Sequence, residues 1–427
     1  MIDRRIWVRR GERAHAMVPC VGAAEFSPDD AFLAWDDGIA PGVVRVTEVA
    51  SLRTVARLDR GGRVEAMCWS SPDTLCLFRR NEREDRMHVH GIPDGGLVAS
   101  APLPSRGSWW GVTGPIQHLP PSRRRMRVQS APNAGAALFT WPDVKALDPP
   151  ASLGACLLRG ERFETADIVD LAATLTEGDR QARIEDVALS PDGDALAVAV
   201  VSPSDAWCAL VSCDGAVRAR VAMPKGLAPK LMRWVGPASV LTAWGPARGF
   251  GETRFMLVEA PATVKTLAIS GADFMFGASS DFDFEFDLDP GRENALATAL
   301  RRTAMQSSTW ALVLPTDASS ARAATTLPLH APELADIAYL GGGACWDARG
   351  HLLTLTATER SEARLSRRAN PTDTPEAVLQ LELTGKVPHA LSLTPSPTRR
   401  HALVRWESQD TDRPDERERA VVLVTLG

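Results

Sequence analysis

An apolar run, a tight polar turn and a second apolar run recur along the whole chain, and this repeat constrains the fold more than any other feature. AAEFSPDDAFLAW occupies 23–35 and EAMCWSSPDTLCLF occupies 65–78. RVQSAPNAGAALFTW at 127–141 is a degenerate copy, and DVALSPDGDALAVAV at 186–200 is the clearest. LMRWVGPASVLTAW (231–244), FEFDLDPGRENALATAL (284–300), GACWDARGHLLTLT (343–356) and ALSLTPSPTRRHALVRW (390–406) complete a set of eight. Measured from positions 26, 69, 128, 189, 234, 286, 346 and 391, the steps are 43, 59, 61, 45, 52, 60 and 45 residues. Their mean, about 52, agrees with one-eighth of the 427-residue chain, about 53. The repeat therefore spans the protein.

The chemistry of each copy points to paired strands. Proline fixes φ near −65° at the second turn position, and Asp and Gly tolerate the dihedrals that follow. The flanking runs carry Val, Leu, Phe, Trp and Ala without helical caps, so they read as short buried strands. Further strand-like runs follow each copy: CALVSCDG and AVRARVAM at 208–223, RFMLVEA and TVKTLAI at 254–269, TWALVLP and AATTLPL at 309–329. Four strands per unit of about fifty residues is the pattern of a propeller blade. DIVDLAATL at 167–175 is the best helix candidate and suits a strand and loop equally well. The last unit offers three strands, and RRIWVRR at 4–10 is spare. Pairing 4–10 as the fourth strand of the last blade would close the ring and remove an exposed edge.

The turns SPDG at 190–193, SPDD at 27–30 and SSPD at 70–73 resemble the blade turns of WD40-like and TolB-like β-propellers. The resemblance implies an all-β chain forming a single closed β-propeller domain over 1–427. Eight four-stranded blades are expected, or seven if the third copy is an insertion. Propellers serve as binding platforms and as enzymes, so the likeness carries no function by itself.

Composition narrows the classes. The net charge is −5, which argues against nonspecific nucleic-acid binding as the main role. No apolar run approaches the roughly 20 residues of a membrane span. The basic start, MIDRRIWVRRGERAHAM, has no apolar core of a secretory signal. The seven cysteines are irregularly spaced, several lie inside apolar runs, and no CxxC occurs. Buried free thiols in a reducing cytoplasm account for this. Lysine supplies only five of the 48 basic residues, an arginine bias that suggests a high-GC bacterial source.

No motif announces catalysis. GxSxG, GxxxxGK[ST], a strand-linked GxGxxG and HExxH are all absent. His88 and His90 would share one strand face, with Asp85 nearby, but sequence places no third ligand beside them. Asp281, Asp283, Glu285, Asp287 and Asp289 alternate with Phe282, Phe284, Phe286 and Leu288. In a strand the acids share one face, open to a calcium ion, an arginine-rich partner or arginines of a neighbouring blade. Arg123, Arg124, Arg125 and Arg127 form the densest positive run, and Arg79, Arg80, Arg83 and Arg86 form a second. Trp109 and Trp110, in SRGSWWGVTGP, are candidates for a partner-binding hot spot, as is Phe250 in ARGFGE.

The sequence reading is a cytoplasmic, non-catalytic scaffold that binds another protein subunit and needs no cofactor or metal. One alternative is an enzyme or small-ligand sensor that uses the central channel. Another is contact with nucleic acid inside an assembly.

Overall fold

The computed structural model describes residues 14–37, 40, 42–59, 61–80, 85–102, 127–131, 135–143, 152–159, 165–168, 171, 175, 181–246, 250–260, 263–267, 275–277, 281–302, 307–316, 324–329, 342–359, 362–382, 388–409 and 417–426. Eight four-stranded antiparallel blades form a β-propeller. The inner strands of blades 1 to 4 are the end of Ala14–Phe26, then Arg63–Ser71, Arg127–Ala131 and Arg183–Leu189. Those of blades 5 to 8 are Leu227–Trp234, Asp281–Leu288, Gly343–Trp346 and Pro388–Pro395. The degenerate third copy is thus a true blade. Helical backbone occurs, among the described residues, only at Leu171 and Leu175. No helix among them is long and apolar enough to cross a membrane.

The N-terminal region closes the ring through residues that begin at Ala14; the segment 4–10 expected in this place lies outside the described residues. Ala14–Phe26 serves two blades in turn. Its first half pairs with Arg417–Thr425 as the outer strand of blade 8, from Ala14 opposite Val424 to Pro19 opposite Ala420. Its second half pairs with Phe32–Asp37 as the inner strand of blade 1. One continuous strand therefore satisfies both sheet edges, a placement that the period alone does not reveal.

The core lies between blades, because both faces of each blade meet a neighbour. Leu138 and Leu157 of blade 3 pack with Ile184, Leu196 and Val198 of blade 4. Leu355 and Leu365 of blade 7 pack with Leu393 and Val404 of blade 8. Middle strands are accordingly apolar throughout: Ala195–Val201 is buried over its first six residues. Outer strands have one wet face, so Val217–Ala222 alternates. Burying one Val or Leu side chain contributes about 1.5–3 kcal/mol, so the seams dominate the stability.

The repeated turn has a common mechanism. Its first residue, Ser or Asp, accepts a hydrogen bond from the backbone that restarts the chain. Examples are Phe32 N to Ser27 Oγ at 2.9 Å, Ala195 N to Ser190 Oγ at 3.0 Å and Asn294 N to Asp289 Oδ1 at 3.0 Å. The serine hydroxyl donates in turn to the Asp two residues on, at 2.7 Å for Ser27–Asp29 and 2.5 Å for Ser190–Asp192. The fourth residue is left-handed. Gly193 and Gly350 fill it at φ +71° and +81°, whereas Asp30, Arg292 and Arg399 occupy it at 62°, 57° and 62°.

Candidate functional site

Polar ties link the inner strands of several neighbouring blades. Trp69 Nε1 of blade 2 donates to Glu25 O of blade 1 at 3.1 Å. Trp234 Nε1 of blade 5 makes the equivalent bond to Ala188 O of blade 4 at 3.0 Å. Gln129 of blade 3 bonds the blade 4 backbone twice, to Val187 O at 2.9 Å and from Leu189 N at 3.0 Å. Glu25, on the inner strand of blade 1, keeps contact with water although protein surrounds it. Its enclosure pushes the carboxyl above the usual range, and Arg405 pulls it partly back.

Two left-handed turn residues carry further ties between blades. Arg399, in the blade 8 turn, donates to both carboxylate oxygens of Asp287 in blade 6, at 2.8 and 2.7 Å. It also donates to Trp346 O of blade 7 at 3.0 Å and to Leu288 O. Trp346 N completes the clasp with a 2.8 Å bond to Asp287 Oδ2. Burial of Arg399 works against its charge, but the Asp287 carboxylate outweighs this and holds the guanidinium above its ordinary pKa. Asp30, in the blade 1 turn, accepts from Ser396 Oγ at 2.5 Å, from Thr398 N at 3.3 Å and from Thr398 Oγ1. Blades 6, 7, 8 and 1 are thereby tied across the closure.

The same seam holds an open cleft of about 500 Å³ on the face bearing the first-to-second-strand turns. Asp29, Glu48, Ser51 and Leu52 of blade 1 form one wall, and Arg400, His401 and Thr425 of blade 8 form the other. Val49 and Leu423, both buried, belong to the apolar seam beneath. Val49 N bonds Ala31 O at 2.9 Å, joining the two blade 1 turns. His401 stacks on Phe26 at 6.4 Å and shares a 3.3 Å hydrogen bond with Thr425 Oγ1.

The residues singled out from sequence fare differently. Asp287 faces an arginine, the neutralisation considered above, but that arginine comes from two blades away because Arg399 reaches across blade 7. Asp289 caps its own turn. The strand Asp281–Leu288 forms, yet the side chains of Asp281, Asp283 and Glu285 lie outside the described residues. His88 and His90 do share a face, their rings 6.2 Å apart, with His90 buried and its Nδ1 3.2 Å from Gly95 O. Among the described residues no group of three His, Cys, Asp or Glu could hold a metal. Trp109, Trp110, Arg123, Arg124 and Arg125 lie outside the described residues, as do the side chains of Arg127 and Phe250. Arg79, of the second basic run, does not face solvent. It is buried and donates to Leu58 O at 3.0 Å and to Gly42 O, locking blade 2 to blade 1. Cys68, Cys76, Cys156, Cys208 and Cys345 are buried free thiols.

No protein-family model matches the chain, and neither does any curated protein. The Dos1 propeller superimposes with a TM-score of 0.52 over 95% of this chain and 94% of that one, at 8% identity. The β-propeller domain of Cps50 (Swd1) from Myceliophteria thermophila is 9% identical over 99% of both chains, with a TM-score of 0.47. A prolyl endopeptidase is 10% identical at a TM-score of 0.49, covering 92% of this chain and 55% of that one. At such identities the likeness establishes the fold and nothing finer.

Proposed function

We propose that this chain is a non-catalytic scaffold, a WD40-like propeller that binds another protein. One observation carries the reading. The exposed large hydrophobic side chains among the described residues are Leu52, Leu97, Val98, Val217 and Val264. All five sit in, or within two residues after, a turn between the third and fourth strands of a blade. Blades 1, 2, 4 and 5 contribute, so the aliphatics lie along an arc of one rim of one face. A rigid closed ring presents these aliphatics at fixed spacing among polar turns, and apolar anchors within a polar surround suit a protein interface.

The setting that fits this scaffold is a bacterial cytoplasm. Its buried free thiols and its arginine bias support that location. The test is substitution on the rim. Leu97→Ser, Val217→Ser and Val264→Ser together should abolish co-purification of partner subunits from the native host while leaving the melting temperature unchanged. Partner recovery equal to wild type from a folded triple variant counts against the rim.

A further inference from the structure

We propose that the cleft between blades 8 and 1 binds a small aliphatic zwitterion, of the class of free amino acids and dipeptides. Its volume of about 500 Å³ falls in the range of small-molecule sites. Its two walls carry opposite charge, with Asp29 and Glu48 on blade 1 and Arg400 on blade 8 beside the imidazole of His401. An ammonium group suits the first wall and a carboxylate the second. Leu52, 36% exposed, and the buried Val49 and Leu423 offer apolar contact for the side chain between them.

The walls are held rigid, which lowers the ordering cost of binding. Asp30 ties the blade 1 turn to Ser396 and Thr398, and Leu52 N bonds Glu48 O at 2.8 Å. Strain concentrates here as well. Of the four non-glycine residues with positive φ among the described residues, Asp30 and Leu52 line the cleft, and Arg399 directly precedes Arg400, which also lines it. Leucine at φ 57° costs roughly 1–2 kcal/mol and holds its side chain exposed at the lip. Such strain persists where the surrounding structure enforces it, commonly at ligand clamps.

The probe is leucyl-leucine, compared by calorimetry and thermal shift with N-acetyl-leucyl-leucine and leucyl-leucinamide. The free dipeptide should bind and raise the melting temperature, since a ligand bridging the two walls binds only the closed ring. Each blocked form should bind about tenfold weaker, the loss of one charge-assisted contact. Glu48→Gln should lower affinity for the free dipeptide and for the amide while sparing the acetylated form. Arg400→Gln should spare the amide instead. Arg400 is exposed, and glutamine at position 48 keeps an oxygen to accept from Ser51 Oγ, so the variants should keep the wild-type melting temperature without ligand. Equal binding of all three probes, indifference to both substitutions, or no heat and no shift at millimolar probe would each overturn the proposal.

Discussion

The Arg399–Asp287 clasp makes the sharpest stability prediction, because one residue both bridges three blades and sits in a strained conformation. The pair is largely shielded, with side-chain exposures of 18% for Arg399 and 9% for Asp287. Removing one partner of a buried pair costs about 3–5 kcal/mol, and residual exposure puts this one near 3. Arg399→Ala should lose that amount and retain a Cβ at φ 62°. Arg399→Gly loses the same contacts but frees the backbone, so it should be about 1 kcal/mol more stable than the alanine variant. Asp287→Ala should cost about as much as Arg399→Ala, since it also strips Trp346 N of its buried acceptor. Combining Arg399→Gly with Asp287→Ala should recover roughly 2 kcal/mol of coupling. Urea unfolding followed by tryptophan fluorescence reads these differences through the midpoint at constant slope. Additive costs in the cycle, or an alanine variant as stable as the glycine one, would refute the reasoning.

Two further outcomes are expected. Burial, reinforced by Asp186, pushes the Cys208 thiol up to about 12. Unfolded chains lose that proton near the ordinary thiol pKa, so this contribution is complete below about pH 8.5 and falls by up to about 1.4 kcal/mol per pH unit up to about 12. Cys208→Ala should flatten the alkaline decline in stability, and an unchanged slope speaks against the buried thiol. Deleting residues 1–19 removes the outer strand of blade 8 and uncovers the edge of Arg417–Thr425. Light scattering should then show concentration-dependent association, and a monodisperse, equally stable truncation would mean that the edge is covered otherwise.

Much of the architecture was legible in the sequence because blade strands are short, local and joined by turns with fixed chemistry. Ser27, Ser190 and Ser396 mark the first turn position in three blades, and their role follows from hydrogen bonds within a few residues. The rim aliphatics could be read only in part. Val217 and Val264 look like any strand valine until the sheet shows which edge is outermost. The sequence also hinted at Arg399 and Asp30, since both stand where Gly193 and Gly350 stand in other copies. A bulky or charged residue at a left-handed position asks what its side chain reaches.

By itself the sequence determined the all-β class, the turn positions and the interior cysteines, all of which depend on local pattern, and it narrowed the blade count to eight or seven. Tertiary structure alone decided that one strand, Ala14–Phe26, serves two blades. It decided too that Asp287 meets an arginine 112 residues away, and that Glu48 and Arg400 face one cleft. The shared strand and the cleft arise where the ring joins its first and last blades, and the Asp287 pairing arises because Arg399 reaches past blade 7. Period and composition carry no information about contacts across such a closure.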